Sequence, residues 1–292
     1  MSVALDSAAR GFVPLGRAAL VAFALAAAPS RTALAEPPPP SMGEAPPAMG
    51  DAPKDVPKDA PADAPPALAV VPDAEAATLV EGLKKAGRSK DKDVADAIAA
   101  FDALAGKTHP TFEPVLQKLL SDDQPRVAAR AAKELGLRPS AKTAGFLARA
   151  FAIEDKRPFV KGAVLEAMGL AKVPLDAKAF DEVKGIWRRR LADTAWNDTM
   201  IGIARYFGAM PGDKRACRFL AEFLDEPIQN GNVDDAANPP ADWWEKRWRQ
   251  WNVVHPEVEK ALRAITGQSF HTSAEAKAWF QKNPQFGVTW FG

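Results

Sequence analysis

From residue 73 onward, the apolar positions of this chain fall at helical spacing in one segment after another. Phe112, Val115, Leu116, Leu119 and Leu120 stand at i, i+3, i+4, i+7 and i+8. Val160, Ala163, Val164, Ala167 and Met168 repeat that spacing, as do Ala216, Phe219, Leu220, Phe223 and Leu224. Shorter stripes run through Met200, Ile203, Ala204 and Phe207, and through Val258, Ala261, Leu262 and Ile265. No segment shows the alternation and β-branched enrichment of a strand. The pattern predicts an all-α domain.

Prolines and glycines punctuate these stripes. Pro110, Pro125, Pro158 and Pro256 each precede one, where a missing N–H is harmless, so each is expected to open a helix. Gly106, Gly136, Gly169 and Gly208 stand at the stripe ends, where C-terminal caps are expected. They lie 30, 33 and 39 residues apart. A period of that length, holding two short helices each time, predicts an α-solenoid.

Within this periodicity, segment 122–136 (DDQPRVAARAAKELG) resembles a HEAT repeat. It has the acidic turn, the polar-Val-Arg start, small alanines for close packing and a closing Leu-Gly. Segment 158–169 is similar but degraded, and 197–208 keeps only the stripe and the closing Phe-Gly. The resemblance covers 110–225, and 74–109 by extension. It implies stacked helix pairs. Because the family works mostly as binding scaffolds, it also implies a protein or peptide partner on the solenoid surface.

Two stretches depart from the repeat. Residues 225–242 (DEPIQNGNVDDAANPPAD) form a connection longer than helix pairs normally use. Residues 243–292 hold most of the eight tryptophans and a capping-box sequence, Thr272-Ser273-Ala274-Glu275. A Thr-Gly-Gln-x-Phe turn followed by a Trp-bearing helix resembles the terminal unit of some exported bacterial HEAT-repeat proteins. This region is expected to cap the solenoid, with Trp244, Trp248 and Trp251 buried against helices at 258–265 and 276–280. Truncating Trp248 is accordingly expected to cost about 3–5 kcal/mol.

The first 73 residues read differently. Arg10 and Arg17 precede the apolar run 18–28 (AALVAFALAAA), Pro29 ends it, and Ala33-Leu34-Ala35 offers a small-x-small cleavage site. That is the three-part pattern of a secretory signal at 1–35, and the run is too short to span a membrane. Residues 36–73 are rich in proline, alanine and aspartate with no helical or strand period, and read as a disordered, polyproline-biased linker. The repeats are then expected over 74–242 and the cap over 243–292. The mature chain would be periplasmic or secreted, with no transmembrane segment.

Charge and residue inventory narrow the chemistry. Lys plus Arg number 38 against 37 acids, so nothing in the global charge points to nucleic acid. One cysteine excludes a disulfide framework and any cysteine-based cluster, and three histidines leave little for a histidine metal site. No phosphate-binding loop, nucleophile elbow or zinc-protease motif occurs. No cofactor and no metal are expected, and the chain is read as non-enzymatic.

The candidate partner-binding residues are Trp243, Arg247, Arg188, Arg189, Asn230 and Asp234. Trp243 and Arg247 share a helix face and could stack as a cation–π pair. Arg188 and Arg189 precede Arg190 near a helix end, where positive charge also suits the dipole. Asn230, Asn232 and Asp234 begin like a calcium loop, but Asp235 and Ala241 stand where glycine and glutamate are required. His109 and His255 are expected near helix starts, and Cys217 as a small buried thiol. Two alternatives to a scaffold remain: a lyase or ligand-handling protein of HEAT-like type, and a wall- or polysaccharide-binding module using the tryptophans.

Overall fold

The start of α4 (Pro125–Gly136) and of α6 (Pro158–Leu170) is set by proline at the first helical position, where no N–H is needed. Side-chain caps open α5 (Ala141–Ile153), α7 (Ala177–Arg189) and α11 (Ser273–Lys282): Ser140, Asp176 and Thr272 accept from the amides of Thr143, Ala179 and Glu275. The computed structural model describes residues 67–87, 94–154, 156–228 and 238–288. The expected signal segment, most of the linker, and Asn230 and Asp234 lie outside these residues.

The remaining helices are α1 (Asp73–Ala86), α2 (Val94–Asp102), α3 (Phe112–Leu120), α8 (Asn197–Ala209), α9 (Cys217–Ala221) and α10 (Ala241–Thr266). Each odd helix up to α9 packs on the even helix that follows it. The even helices also stack on one another in the order α2, α4, α6, α8, α10. Each helix therefore buries its apolar stripe against both a partner and a neighbour. This is an all-α solenoid of helix pairs. Its core takes in Phe112 and Leu116 from α3, Val164 and Leu165 from α6, Ile203 and Phe207 from α8, and Val258 and Leu262 from α10.

Among the described residues, strand pairing is confined to a two-residue parallel bridge, β1 (Ala69–Val70) with β2 (Lys107–Thr108). Val71 precedes Pro72 and is thereby held extended, and Gly106, at φ +70, turns the chain after α2 to meet it.

Three of the four expected glycine caps have another purpose. Only Gly106 takes a positive φ; Gly136, Gly169 and Gly208 are helical. They are the points where neighbouring even helices touch. A Cβ on Gly136 would lie 2.6 Å from the Cα of Ala167 in α6, and one on Gly169 would lie 2.9 Å from the Cα of Tyr206 in α8. One on Gly208 would lie 3.3 Å from the Cα of Ala261 in α10. The left-handed cap of α6 falls instead on Lys172, at φ 56. Its amide bonds Gly169 O and that of Val173 bonds Met168 O, the Schellman pattern. The Lys172 ammonium reaches the carbonyl of Ala209 at the end of α8, joining two repeats.

Pro256 does not open a helix: α10 runs through it unbroken. Proline deletes the bond to the carbonyl four residues back, but here both Asn252 and Pro256 are exposed, so water can take that carbonyl. Val254 and Val258 anchor the helix on either side of the gap. The expected packing of a tryptophan helix onto a separate 258–265 helix is thereby overturned, since the two are one element. His255, expected near a helix start, sits inside α10 against Trp251.

The buried line of α10 passes through Arg247, Gln250, Val254 and Val258. Trp244 and Trp251 are half-buried and Trp248 is 46% exposed, its indole N–H donating to Glu226 at 2.8 Å. Tryptophan was expected to form the stripe, and arginine and glutamine form it instead. Trp248→Ala should therefore cost only about 1 kcal/mol, well short of the cost of a buried indole. A chemical-denaturation midpoint well below the parent's would contradict this placement. Phe280 and Ala276 of α11 are buried as expected, with Phe270, Trp279 and Phe286 packed around them.

Candidate functional site

The first residues of α4, α6 and α8 are Pro125, Pro158 and Asn197. Counted from these starts, the second residues are Arg126, Phe159 and Asp198, and the ninth are Lys133, Glu166 and Arg205. Between them stand Ala129, Gly162 and Ile201, followed by Arg130, Ala163 and Gly202. These positions are a turn apart at i, i+3, i+4 and i+7, so each helix presents one such line on the side away from its odd partner. Together with Ile98 of α2, the three lines border a groove of about 350 Å³.

The groove has an apolar floor and charged walls. Phe159 is 41% exposed, and Ile98 and Ile201 are half-buried beside it. Beneath them α6 and α8 meet backbone to backbone: a Cβ on Gly202 would fall 2.2 Å from the carbonyl oxygen of Gly162. That approach is possible only because both residues lack a side chain. Basic side chains outnumber acidic ones around the groove.

One wall is an inter-repeat chain of ion pairs. Lys133 lies 3.3 Å from Glu166, Glu166 is 3.2 Å from Arg205, and Arg205 is 3.2 Å from Glu257 of α10, which Lys260 joins at 3.0 Å. Same-register residues pair across the stack, as parallel helices require. A further link, Asp102 to Arg130 at 2.8 Å, ties α2 to α4. Burial would raise the pKa of Glu257, but the hydrogen bonds and charges of Arg205 and Lys260 outweigh it and hold the carboxyl below its ordinary value. The resulting stabilisation is present above the unfolded pKa, about 4.3 for glutamate, and is lost as pH falls through the lower folded value. The stability of the parent should thus fall in this acid range more steeply than that of Glu257→Gln. Identical pH profiles of thermal midpoint would show that the chain of ion pairs contributes nothing.

A larger recess, about 1060 Å³, opens between the 172–174 and 209–215 loops and Phe286–Val288. Its basic groups are engaged: Arg215 with Asp213 at 2.6 Å, Arg218 with Glu222 at 2.8 Å, and the Lys214 ammonium 4.3 Å over Phe286. Cys217 is fully buried, as expected, and burial pushes its thiol up to about 11, so it offers no thiolate nucleophile at neutral pH. His109 bridges Asp73 and Thr111 at the start of α3.

Of the candidates named from sequence, the four among the described residues, Arg188, Arg189, Trp243 and Arg247, do not line this groove. Arg188 and Arg189 are exposed at the end of α7. Trp243 packs edge-on against Trp244 at 4.9 Å, not on Arg247. Arg247 is only 8% exposed and lies 4.2 Å over the ring of Phe223, so its expected stacking partner is replaced. The groove residues carried a usable signal all the same: aligning the repeats on Pro125 and Pro158 puts Arg126 beside Phe159 and Lys133 beside Glu166.

Residues 77–169, from α1 to the end of α6, match the family model of HEAT repeats. Residues 77–169 carry HEAT repeats. The α7–α8 pair continues their register beyond the matched span, through Asp198, Ile201 and Arg205. No curated protein and no solved structure matches the chain. HEAT repeats generally mediate protein–protein interaction, and no helix among the described residues is long and apolar enough to cross a membrane.

Proposed function

We propose that this HEAT-repeat chain is a non-enzymatic scaffold that binds a protein or peptide segment along the α4–α6–α8 groove. The observation that carries this reading is the groove itself. α4, α6 and α8 each contribute the same four positions to it, and the exposed phenylalanine Phe159 is among them. An exposed apolar patch rimmed by charge is what a partner's side chains would cover. The reading places the scaffold in the cell envelope or outside the cell, addressed there by residues 1–35. N-terminal sequencing of the exported form should begin near Glu36, and retention of residues 18–28 in a membrane fraction would overturn the address.

The binding face is tested with a photo-cross-linking residue at position 159 or 201, compared with one at Phe146 on α5. Groove positions should trap a discrete partner that the α5 position does not, and Phe159→Asp in the chain carrying the cross-linker at 201 should abolish the product. Equal trapping from α5, or survival of the product in the aspartate variant, would move the site elsewhere. A saccharide platform is less well supported, because the tryptophans of α10 do not form a row of exposed rings.

A further inference from the structure

Among the described residues, two buried donors at the start of α10 have no hydrogen-bond partner. Arg247 is more than nine-tenths buried, and among the described residues its Nη1 has no hydrogen-bond partner. The indole Nε1 of Trp244, one turn earlier on the same face, is likewise buried and unpartnered. The neighbouring indoles are served: Trp248 donates to Glu226 at 2.8 Å and Trp251 to the Phe223 carbonyl at 3.1 Å. So is Gln250, on the next turn, which bonds three backbone groups. In the first two turns of α10 the deficit therefore falls on positions 244 and 247; further along the helix the Nε2 of His255 is also buried without a hydrogen bond.

A buried guanidinium without a counter-ion is costly, because desolvation is not repaid by a Coulomb partner. Burial alone pulls the Arg247 pKa down to about 10, and no carboxylate opposes that shift. Phe223 supports one face of the guanidinium at 4.2 Å, but a ring face gives Nη1 no acceptor. Both donors also sit in the first two turns of a 26-residue helix, where the dipole favours negative charge.

We propose that Trp244 and Arg247 form a receptor for a single carboxylate of a partner, supplied by an aspartate, a glutamate or a free C-terminus. The guanidinium and the indole N–H would each donate to it, completing the two orphaned groups at once. Phe223, Trp243 and Trp244 make the surroundings apolar, which favours a singly charged carboxylate over a more strongly hydrated phosphate dianion. This site lies on α10, apart from the α4–α6–α8 groove, and stands or falls separately from it.

The test uses the full chain with acetate as the probe and chloride as the control at matched ionic strength. The Trp244 indole N–H resonance, assigned through Trp244→Phe, should shift saturably with acetate, and the thermal midpoint should rise with it. In Arg247→Met, which keeps volume and removes the charge, the acetate response should vanish while the midpoint without acetate stays at or above the parent's. Equal acetate shifts in parent and Arg247→Met would overturn the proposal, as would absence of a response in the parent. One source must be distinguished from a partner: the chain's own aspartates at 234 and 235. If acetate acts only on the Asp234→Asn, Asp235→Asn double variant, the receptor is filled from within and a partner's carboxylate is excluded.

Discussion

Gly202→Ala should destabilise the solenoid by about 3 kcal/mol or more, lowering the thermal midpoint by roughly 6–12 °C for a chain of this size. The added Cβ would stand 2.2 Å from the carbonyl oxygen of Gly162 and 2.7 Å from its Cα, and both atoms are backbone. No rotamer change can relieve that contact, so α6 and α8 must separate along the whole of their interface. This interface sits in the middle of the stack, with α4 beyond α6 and α10 beyond α8. Solenoid stability is close to a sum of neighbour interfaces, so loosening a central one uncouples the two ends. Gly162→Ala should behave alike, because its Cβ would meet the Asp198 carbonyl oxygen at 2.2 Å. Gly145, exposed in α5 with nothing within 4 Å of an added Cβ, is the control. Gly145→Ala should raise stability by about 0.5–1 kcal/mol through helix propensity alone. Urea unfolding of the three variants checks the argument; a parent-like midpoint for Gly202→Ala would mean that the two helices are not in backbone contact.

The helical stripes were legible because burial imposes a 3.6-residue period whatever the neighbours are. Val160, Val164 and Met168 are core residues for that reason, and so are Ile203 and Phe207. Glycine was misread because the same residue serves two purposes. A glycine at the end of a stripe signals a cap from sequence, yet Gly136, Gly169 and Gly208 are there to let an adjacent helix approach. That need arises only between repeats and leaves no local mark. Pro256 misled in a similar way, since a proline on an exposed face can be crossed when flanking valines hold the helix. The tryptophan run misled through its spacing. Trp244, Trp248 and Trp251 stand at i, i+4 and i+7 like a buried stripe, whereas the buried line of α10 passes one residue out of phase with them, through Arg247 and Gln250. The groove residues escaped notice because each helix contributes only a few solvent-facing positions, and these become a surface once the repeats are stacked in register.

Gln250→Leu should be the most damaging polar substitution in the capping region, at about 3–5 kcal/mol, because three backbone groups depend on one side chain. Gln250 is fully buried in α10. Its Oε1 accepts from the amide of Ala192 at 3.1 Å, and its Nε2 donates to the carbonyls of Arg190 at 3.0 Å and Asp193 at 3.3 Å. These groups belong to the turn between α7 and α8, where Ala192 holds a left-handed φ of 63. A non-glycine residue there is strained by about 1–2 kcal/mol, so the turn keeps its shape only while its polar groups are satisfied. Leucine fills the space but bonds none of them. Gln250→Glu separates packing from bonding: its carboxylate would still accept from Ala192 but would face two carbonyl oxygens with no proton to offer. Burial and those oxygens raise its folded pKa, so the variant should be least stable at high pH and recover as pH falls through that value, when the carboxyl becomes a donor. Ala192→Gly in the Gln250→Leu background should return about 1–2 kcal/mol by removing the strain, without restoring the bonds. Hydrogen exchange at the Ala192 amide should accelerate in Gln250→Leu even where α8 stays protected. If that amide exchanges at the parent rate and the unfolding midpoint is unchanged, the turn is held by something other than Gln250.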